Sequence, residues 1–351
     1  MPTDVPSHQS EAGQVHIVDM PGARDLAPLL GALQGAKRRF DNRLTQFATT
    51  LLLRHGVALR ERDPVTFRRY LDHWRQRYNK IDGPPAAMAA DLDAEAVQAG
   101  SPSVGAVRSP VPADWFAPRS DGWRGFVFYV HGGSFIAERS PRITALVARF
   151  AAAAGARVYS PNYRLAPEHP CPAAIDDIVA AYRWLRREWP DEPVVALAES
   201  AGAAILLSAM QQLRDHRDPL PEAMLLLSPW VDLSLQSWSV VAASLSGSSP
   251  YTMESLAVMA HLYLAGRPAS DPVASPVFGS FRGFPPLLIH ASRGDILYDD
   301  AVRLAEAVRD ARGDLMLRLW QGETHVWERL PGANARRSIE LGAEFIRRHL
   351  E

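Results

Sequence analysis

Three residues of this chain have the types and the order of a nucleophile, an orienting acid and a base. Ser200 stands in Ala198-Glu199-Ser200-Ala201-Gly202. The apolar run Val194 to Ala198 reads as a strand, and Ala201 to Met210 reads as a helix. A serine on a tight strand-to-helix turn, with very small residues two positions either side, is the arrangement of a nucleophile elbow. Such a turn lifts the hydroxyl clear of the sheet, and the amino end of the next helix offers N–H groups to negative charge. The usual pattern is Gly-x-Ser-x-Gly. Here the first glycine is Ala198, which matches in size but tolerates a positive φ poorly. Alone, the pentapeptide reads equally well as a plain helix start, so its partners decide.

A serine hydroxyl becomes a nucleophile only when a base takes its proton, a second group orients that base, and donors await the oxyanion. In elbow-type enzymes the acid and then the histidine follow the serine along the chain. The strand Leu287 to Ser292 runs into Arg293-Gly294-Asp295, and this turn position makes Asp295 the expected acid. Asp299 is the fallback and otherwise a helix cap. The last strand, Leu315 to Trp320, leads into a loop that carries His325. Imidazole suits the base because its ordinary pKa lies near the working pH. His290 falls inside a strand before the acid and reads as structural; His261 and His349 fall on helical stretches and read as packing or surface residues. His131-Gly132-Gly133 ends the strand Phe126 to Val130. The backbone N–H groups of Gly132 and Gly133, with that of Ala201, are the expected oxyanion donors, since backbone donors are rigid and already oriented.

Such residues need a scaffold that gathers strand ends. From Phe126 onward, strands and helices alternate: helix at Pro141–Ala154, strand at Arg157–Ser160, helix at Ile175–Glu188, strand at Met224–Ser228, helix at Asp300–Arg312 and a final amphipathic helix at Ala335–His349. The alternation predicts an α/β fold with a mostly parallel sheet and helices on both faces. Right-handed crossovers then place every strand's carboxyl end on one rim, where ligands bind. Ser234–Ser249 reads as a polar region, followed by a helical stretch at Thr252–Ala265. Upstream, residues 1 to 35 read as a loose arm with at most one short helix. A helix from Arg38 carries Phe40, Leu44, Phe47 and Leu51 on one face. A second, Pro64 to Tyr78, follows Asp63 as N-cap. Its many aromatic residues favour a cap over a site rather than a solvent-facing appendage. Residues 82–122 are broken by prolines and are expected to hold edge strands at Leu92–Val97 and Ser103–Ser109. The division is therefore 1–85 as a helical arm or cap segment and 86–351 as the catalytic domain.

Composition narrows the class. In 351 residues, 38 basic side chains face 39 acidic ones, which gives no basic excess for nucleic acid. The basic stretch from Arg60 to Arg77 reads as the solvated face of a helix. One cysteine, Cys171, allows no internal disulfide and reads as a buried packing residue. The first residues lack the basic start and apolar core of a signal peptide, and no stretch approaches the about 18 apolar residues of a membrane span. The expectation is a cytoplasmic protein. No metal-ligand cluster, P-loop or dinucleotide glycine pattern occurs, so no cofactor and no metal are expected.

Several strings together resemble one family. They are His131-Gly-Gly-Ser-Phe135, Tyr163-Arg-Leu-Ala-Pro-Glu-His-Pro170, Glu199-Ser-Ala-Gly202, Ser228-Pro-Trp-Val-Asp-Leu233, Asp271-Pro-Val-Ala-Ser-Pro276, Pro285-Pro-Leu-Leu-Ile289 and Asp295 to Asp300. Over roughly 110–350 the chain is similar to the hormone-sensitive lipase family of α/β-hydrolases, in its bacterial carboxylesterase branch. The resemblance implies a carboxylester hydrolase with Ser200, Asp295 and His325 as triad, acting on small-molecule esters of short to medium acyl length. It also implies a cap built from amino-terminal helices plus an insertion at about 234–270, a structural ion network at Arg164 and Glu168, and frequent homodimers. Two motifs depart from the family's: Ser134 replaces a third glycine, and the elbow, usually Gly-Asp-Ser-Ala-Gly-Gly, reads Ala-Glu-Ser-Ala-Gly-Ala, with Ala198 and Ala203 in place of glycines and Glu199 in place of an aspartate. Competing readings on the same fold are hydrolysis of an amide, a lactone or an acetyl group, acyl transfer with water excluded, and a ligand-binding receptor. The receptor reading expects loss of the histidine, which His325 opposes.

Overall fold

One nine-stranded sheet organises the described residues of this computed structural model, which are 15–19, 97–99, 109–118 and 122–351. Its strands are β1 (Val15–Asp19), β2 (Val97–Ala99), β3 (Ala113–Pro118), β4 (Phe126–Val130), β5 (Arg157–Pro161), β6 (Val194–Glu199), β7 (Ala223–Leu227), β8 (Leu287–Ser292) and β9 (Leu315–Trp320). The spatial order is β1-β9-β8-β7-β6-β4-β5-β3-β2. Every pairing from β1 to β5 along that order is parallel, and β3 pairs antiparallel with both β5 and β2. The helices are α1 (Pro141–Ala154), α2 (Ala173–Glu188), α3 (Ala201–Asp215), α4 (Trp238–Ser246), α5 (Met253–Leu264), α6 (Tyr298–Asp310) and α7 (Ala333–Leu350).

The central strands are buried on both faces, so their sequences are continuous apolar runs rather than alternating ones. The period of two is still visible in what each residue meets. Phe126, Phe128 and Val130 face the layer containing α2, α3 and α6, with Ala196, Ala198, Met224 and Leu226. Val127, Tyr129, Val195, Leu197, Leu225 and Leu227 face α1 and α7. Each such large side chain removed from water stabilises the fold by about 1.5–3 kcal/mol. Local signals set the helix ends. Ser140 accepts the Ile143 N–H at 3.3 Å before α1, and Gly155 closes it in the left-handed region at φ 62°. Thr252 and Ser255 form a capping box at the start of α5.

Three elements depart from the sequence expectations. Val15–Asp19 is a strand rather than part of a loose arm; its β-branched residues complete the backbone hydrogen bonds left open along β9, from Val15↔Leu315 to Asp19↔Leu319. β3 lies where the prolines suggested broken chain. Pro112 and Pro118 instead bracket it, and it takes a near-edge position. The region read as polar contains α4, whose only buried residues are Val240 and Ala243. So little of α4 faces the core that its sequence carries no clear helical period. The expected helices near 38–51 and 64–78 lie outside the described residues, and the edge strands expected at 92–97 and 103–109 lie almost wholly so. Among the described residues no helix is long and apolar enough to cross a membrane.

Candidate active site

The parallel register brings β6, β7, β8 and β9 to one rim: Glu199 lies opposite Leu227, Leu227 opposite His290, and Ser292 opposite Trp320. Ser200 follows β6 at once and occupies the N-cap position of α3 with φ 52° and ψ −128°. A non-glycine residue at positive φ costs roughly 1–3 kcal/mol, which the surroundings must hold in place. Here the Ser200 N–H donates to Leu227 O at 3.0 Å, and the Trp230 N–H donates to Ser200 O at 3.0 Å. The strain falls on the nucleophile and not on Ala198, whose backbone is ordinary strand. Alanine for glycine there thus costs no conformational freedom. At Gly202 a side chain would run into the carbonyl oxygens of Val130 and His131, so that glycine is required by space.

His325 lies in the loop after β9. Its Nε2 is 2.9 Å from Ser200 Oγ, and its Nδ1 is 3.1 Å from each Asp295 carboxylate oxygen. Asp295 is buried, which works to raise its pKa. The His325 ring, the Ser228 hydroxyl and the Leu297 N–H outweigh burial and hold the carboxyl below its ordinary value. Ser228 also accepts the Val326 N–H at 3.1 Å, tying the histidine loop to the end of β7. Asp299, the fallback acid, is used elsewhere: its Oδ2 accepts the Ser239 N–H at 2.8 Å. His290 is fully buried with Nδ1 2.8 Å from Ser338 Oγ, and burial pulls its pKa well down. His261 is exposed, His349 lies 2.9 Å from Phe345 O, and Cys171 is buried and forms no disulfide.

The oxyanion loop differs from expectation at one donor. The Gly132 N–H donates to Glu199 Oε1 at 2.8 Å and is therefore engaged within the protein. Of the expected three, Gly133 and Ala201 remain. Gly133 has φ 113°, and a side chain there would strike Ala137 O. Its carbonyl accepts the N–H groups of Ile136 and Ala137 at 3.1 and 2.9 Å, which fixes the loop. Ala201 is the first residue of α3, and first-turn N–H groups have no partner within their own helix. Ser134, in place of a glycine, takes φ 55° and is buried. Behind the loop, burial pulls His131 down to about 4, so it is neutral, and it stacks on Tyr163 at 4.3 Å between ring centroids. The Tyr163 hydroxyl donates to His131 O at 2.6 Å.

Two further findings concern residues singled out in the sequence. Arg164 pairs with Asp177 of α2 at 2.8 Å, so the ion network expected at Arg164 extends to a residue of α2. Glu168 lines an open polar cavity of about 510 Å³ with Asp114, His131 and Arg139, and none of Ser200, Asp295 and His325 borders it. The residues that sequence reasoning missed are Ser228, Glu199 and Arg329, and also Tyr251, whose ring meets the His325 ring edge-on at 5.7 Å. The strings Ser228-Pro-Trp and Glu199-Ser-Ala carried the signal for the first two. Among the described residues, no group of three or more His, Cys, Asp and Glu is placed to hold a metal ion.

The model of the alpha/beta hydrolase fold family matches residues 127–329, from the start of β4 to the turn after His325. The chain belongs to that family. An acetyl-hydrolase of Streptomyces hygroscopicus is 38% identical over 241 residues, covering 67% of this chain and 79% of the relative. The crystal structure of an esterase from the bacterial hormone-sensitive lipase family superposes with a TM-score of 0.72 at 29% identity, covering 87% of this chain and 97% of that one. The esterase EstE5, in a crystal soaked with p-nitrophenyl butyrate, superposes with a TM-score of 0.70 at 30% identity, over 80% of this chain and 91% of that one. Within the α/β-hydrolases, this chain falls in the hormone-sensitive lipase family.

Proposed function

We propose that this carboxylester hydrolase works through an acyl-enzyme on Ser200, with short- to medium-chain esters as substrates. The reading rests on one observation: an unbroken Ser200–His325–Asp295 contact at the carboxyl rim of the sheet. His325 Nε2 takes the serine proton as Oγ attacks the ester carbonyl, and later delivers it to the leaving alcohol. Asp295 keeps Nδ1–H facing itself, which leaves Nε2 as the base and stabilises the imidazolium. The N–H groups of Gly133 and Ala201 receive the oxyanion, aided by the amino end of α3. Water then cleaves the acyl-enzyme by the same route in reverse. The likeness to an acetyl-hydrolase supports the short end of the acyl range.

The test is hydrolysis of p-nitrophenyl esters from acetate to palmitate by the wild type and by Ser200→Ala. Turnover concentrated on short chains and lost in Ser200→Ala is the expected result. Wild-type turnover that survives in Ser200→Ala would overturn the mechanism. A wild type inert on every chain length would move the reading to an amide or lactone.

A further inference from the structure

Resting on that reading, we infer that Glu199 is the positioning residue that holds the oxyanion loop and the catalytic-histidine loop in register with the nucleophile. Glu199 is the last residue of β6, directly before Ser200, and its side chain is fully buried. Its Oε1 accepts the Gly132 N–H at 2.8 Å and the Tyr129 hydroxyl at 3.2 Å. Its Oε2 accepts Arg329 Nη2 in an ion pair whose arginine side chain is also nearly buried. One carboxylate thus joins the elbow, the strand β4, the loop that carries Gly133, and the turn that follows His325.

The histidine side of this strap is short and stiff. Val326, next to His325, holds φ 45°; its N–H donates to Ser228 Oγ, and its carbonyl accepts the Arg329 N–H at 3.1 Å. Arg329 therefore cannot shift without dragging the segment that starts at His325. On the other side, Gly132 packs so closely that an added Cβ would lie 3.0 Å from Ser200 Cβ and 3.1 Å from Glu199 Oε1. The Gly132 N–H bond sets where the next peptide, that of Gly133, presents its donor.

A bare buried carboxylate would be costly, and an ion pair replaced by apolar residues is often no less stable. Stability alone is thus a weak reason for this pair, whereas positional control is a use that charge and direction serve well. Aspartate at 199, one methylene shorter, tests whether reach as well as charge is needed to serve Gly132 and Arg329 together.

The experiment uses full-length protein with Glu199→Asp, and Glu199→Gln combined with Arg329→Met. The double variant keeps an acceptor for Gly132, removes the strap to the histidine loop, and leaves no buried lone charge. Two readouts are taken on protein that retains a cooperative thermal transition: kcat and KM on p-nitrophenyl butyrate, and the second-order rate at which a fluorophosphonate labels Ser200. Labelling needs the activated serine and the oxyanion donors but no ester. Positioning predicts a fall of about 10- to 100-fold in both kcat and labelling rate, with KM within about twofold. Labelling and kcat within twofold of wild type in either folded variant would overturn the inference, as would a loss expressed only in KM. Because labelling is independent of substrate, a wild type that labels but spares every ester would refute the ester reading and leave this test intact. A wild type that neither labels nor hydrolyses would refute both.

Discussion

The catalytic rim and the segment from Val231 to Leu264, which we propose as the cap insertion, are fastened by different means. On the rim, backbone fixes the nucleophile and buried side chains tie the loops to it: Ser200 is clamped through its own N–H and carbonyl by the continuation of β7, His325 and Asp295 leave from neighbouring parallel strands, and Ser228 and Glu199 hold the loops. The insertion is hung from side chains. Asp300 of α6 accepts the N–H groups of Val231 and Asp232 at 2.9 and 3.0 Å and the Ser237 hydroxyl at 3.1 Å, while Asp299 accepts the Ser239 N–H. The cap's own surface is open, with Trp238 at 74% and Leu245 at 76% exposure. A rim held by backbone and buried ties tolerates little variation in geometry. A cap hung on a few carboxylates can change its sequence without moving the triad.

The largest expected effect lies on the rim. Asp295→Asn keeps the size of the side chain but offers an N–H where the histidine Nδ1–H needs an acceptor. The tautomer of His325 reverses, and kcat falls by about 10⁴. Steady-state kinetics on the best ester, with a thermal melt to show a retained fold, measures it. A loss below tenfold would mean that rim geometry is set without the acid.

The cap should respond in stability instead. Asp300→Ala removes the acceptor of buried backbone donors, each worth about 1–3 kcal/mol when left unmade. Urea unfolding is expected to show a loss of about 2–5 kcal/mol, while kcat for a short ester stays within a fewfold of wild type. A collapse of kcat at full stability would reverse the comparison.

How much of this was legible in the sequence follows the same division. The strand ends that carry Ser200, Asp295 and His325 were readable because short apolar runs, a small-residue turn and chain order constrain them locally. The engagement of the Gly132 N–H was not, because a Gly-Gly pair shows a close backbone approach but not which donor a remote carboxylate will take. Glu199 and Arg329 meet across 130 positions of chain, and nothing in either neighbourhood announces the other. Helix α4 escaped notice because only Val240 and Ala243 face inward, so no apolar stripe marked it. Strand β1 escaped for the opposite reason: it lies on an outer edge with Ile17 and Val18 exposed, and its partner β9 lies at the far end of the chain.

A pH experiment probes the ground beneath the rim. Burial first, then the nearby Asp295 and Glu199 charges, push the Glu328 carboxyl from 4.5 up to about 8, although the Ser338 hydroxyl donates to it at 2.7 Å. The native state then holds a proton that the unfolded chain releases above about 4.5. The contribution of Glu328 to stability is full below about 4.5 and is lost as pH rises toward about 8. Glu328→Gln has no such proton to lose. Relative to the variant, the wild type should lose about 1.4 kcal/mol per pH unit across the window. Equal slopes in urea melts from pH 5 to pH 8 would show that Glu328 is ionised in the fold.

The smallest effect is expected on the outer face of the cap. Trp238 and Leu245 lie two turns apart on α4 and point the same way, into solvent. Neither contributes to the core, so Trp238→Ser and Leu245→Ser should each change stability by less than about 0.5 kcal/mol. Both should leave kcat/KM for acetate and butyrate esters unchanged, since the cap meets His325 through Tyr251 and not through this face. A gain in solubility without a change in kinetics fits a face that takes no part in turnover. A rise in KM confined to the longer esters would instead make that face part of the route by which acyl chains reach Ser200, and the cap would then share in the chemistry that the rim otherwise performs alone.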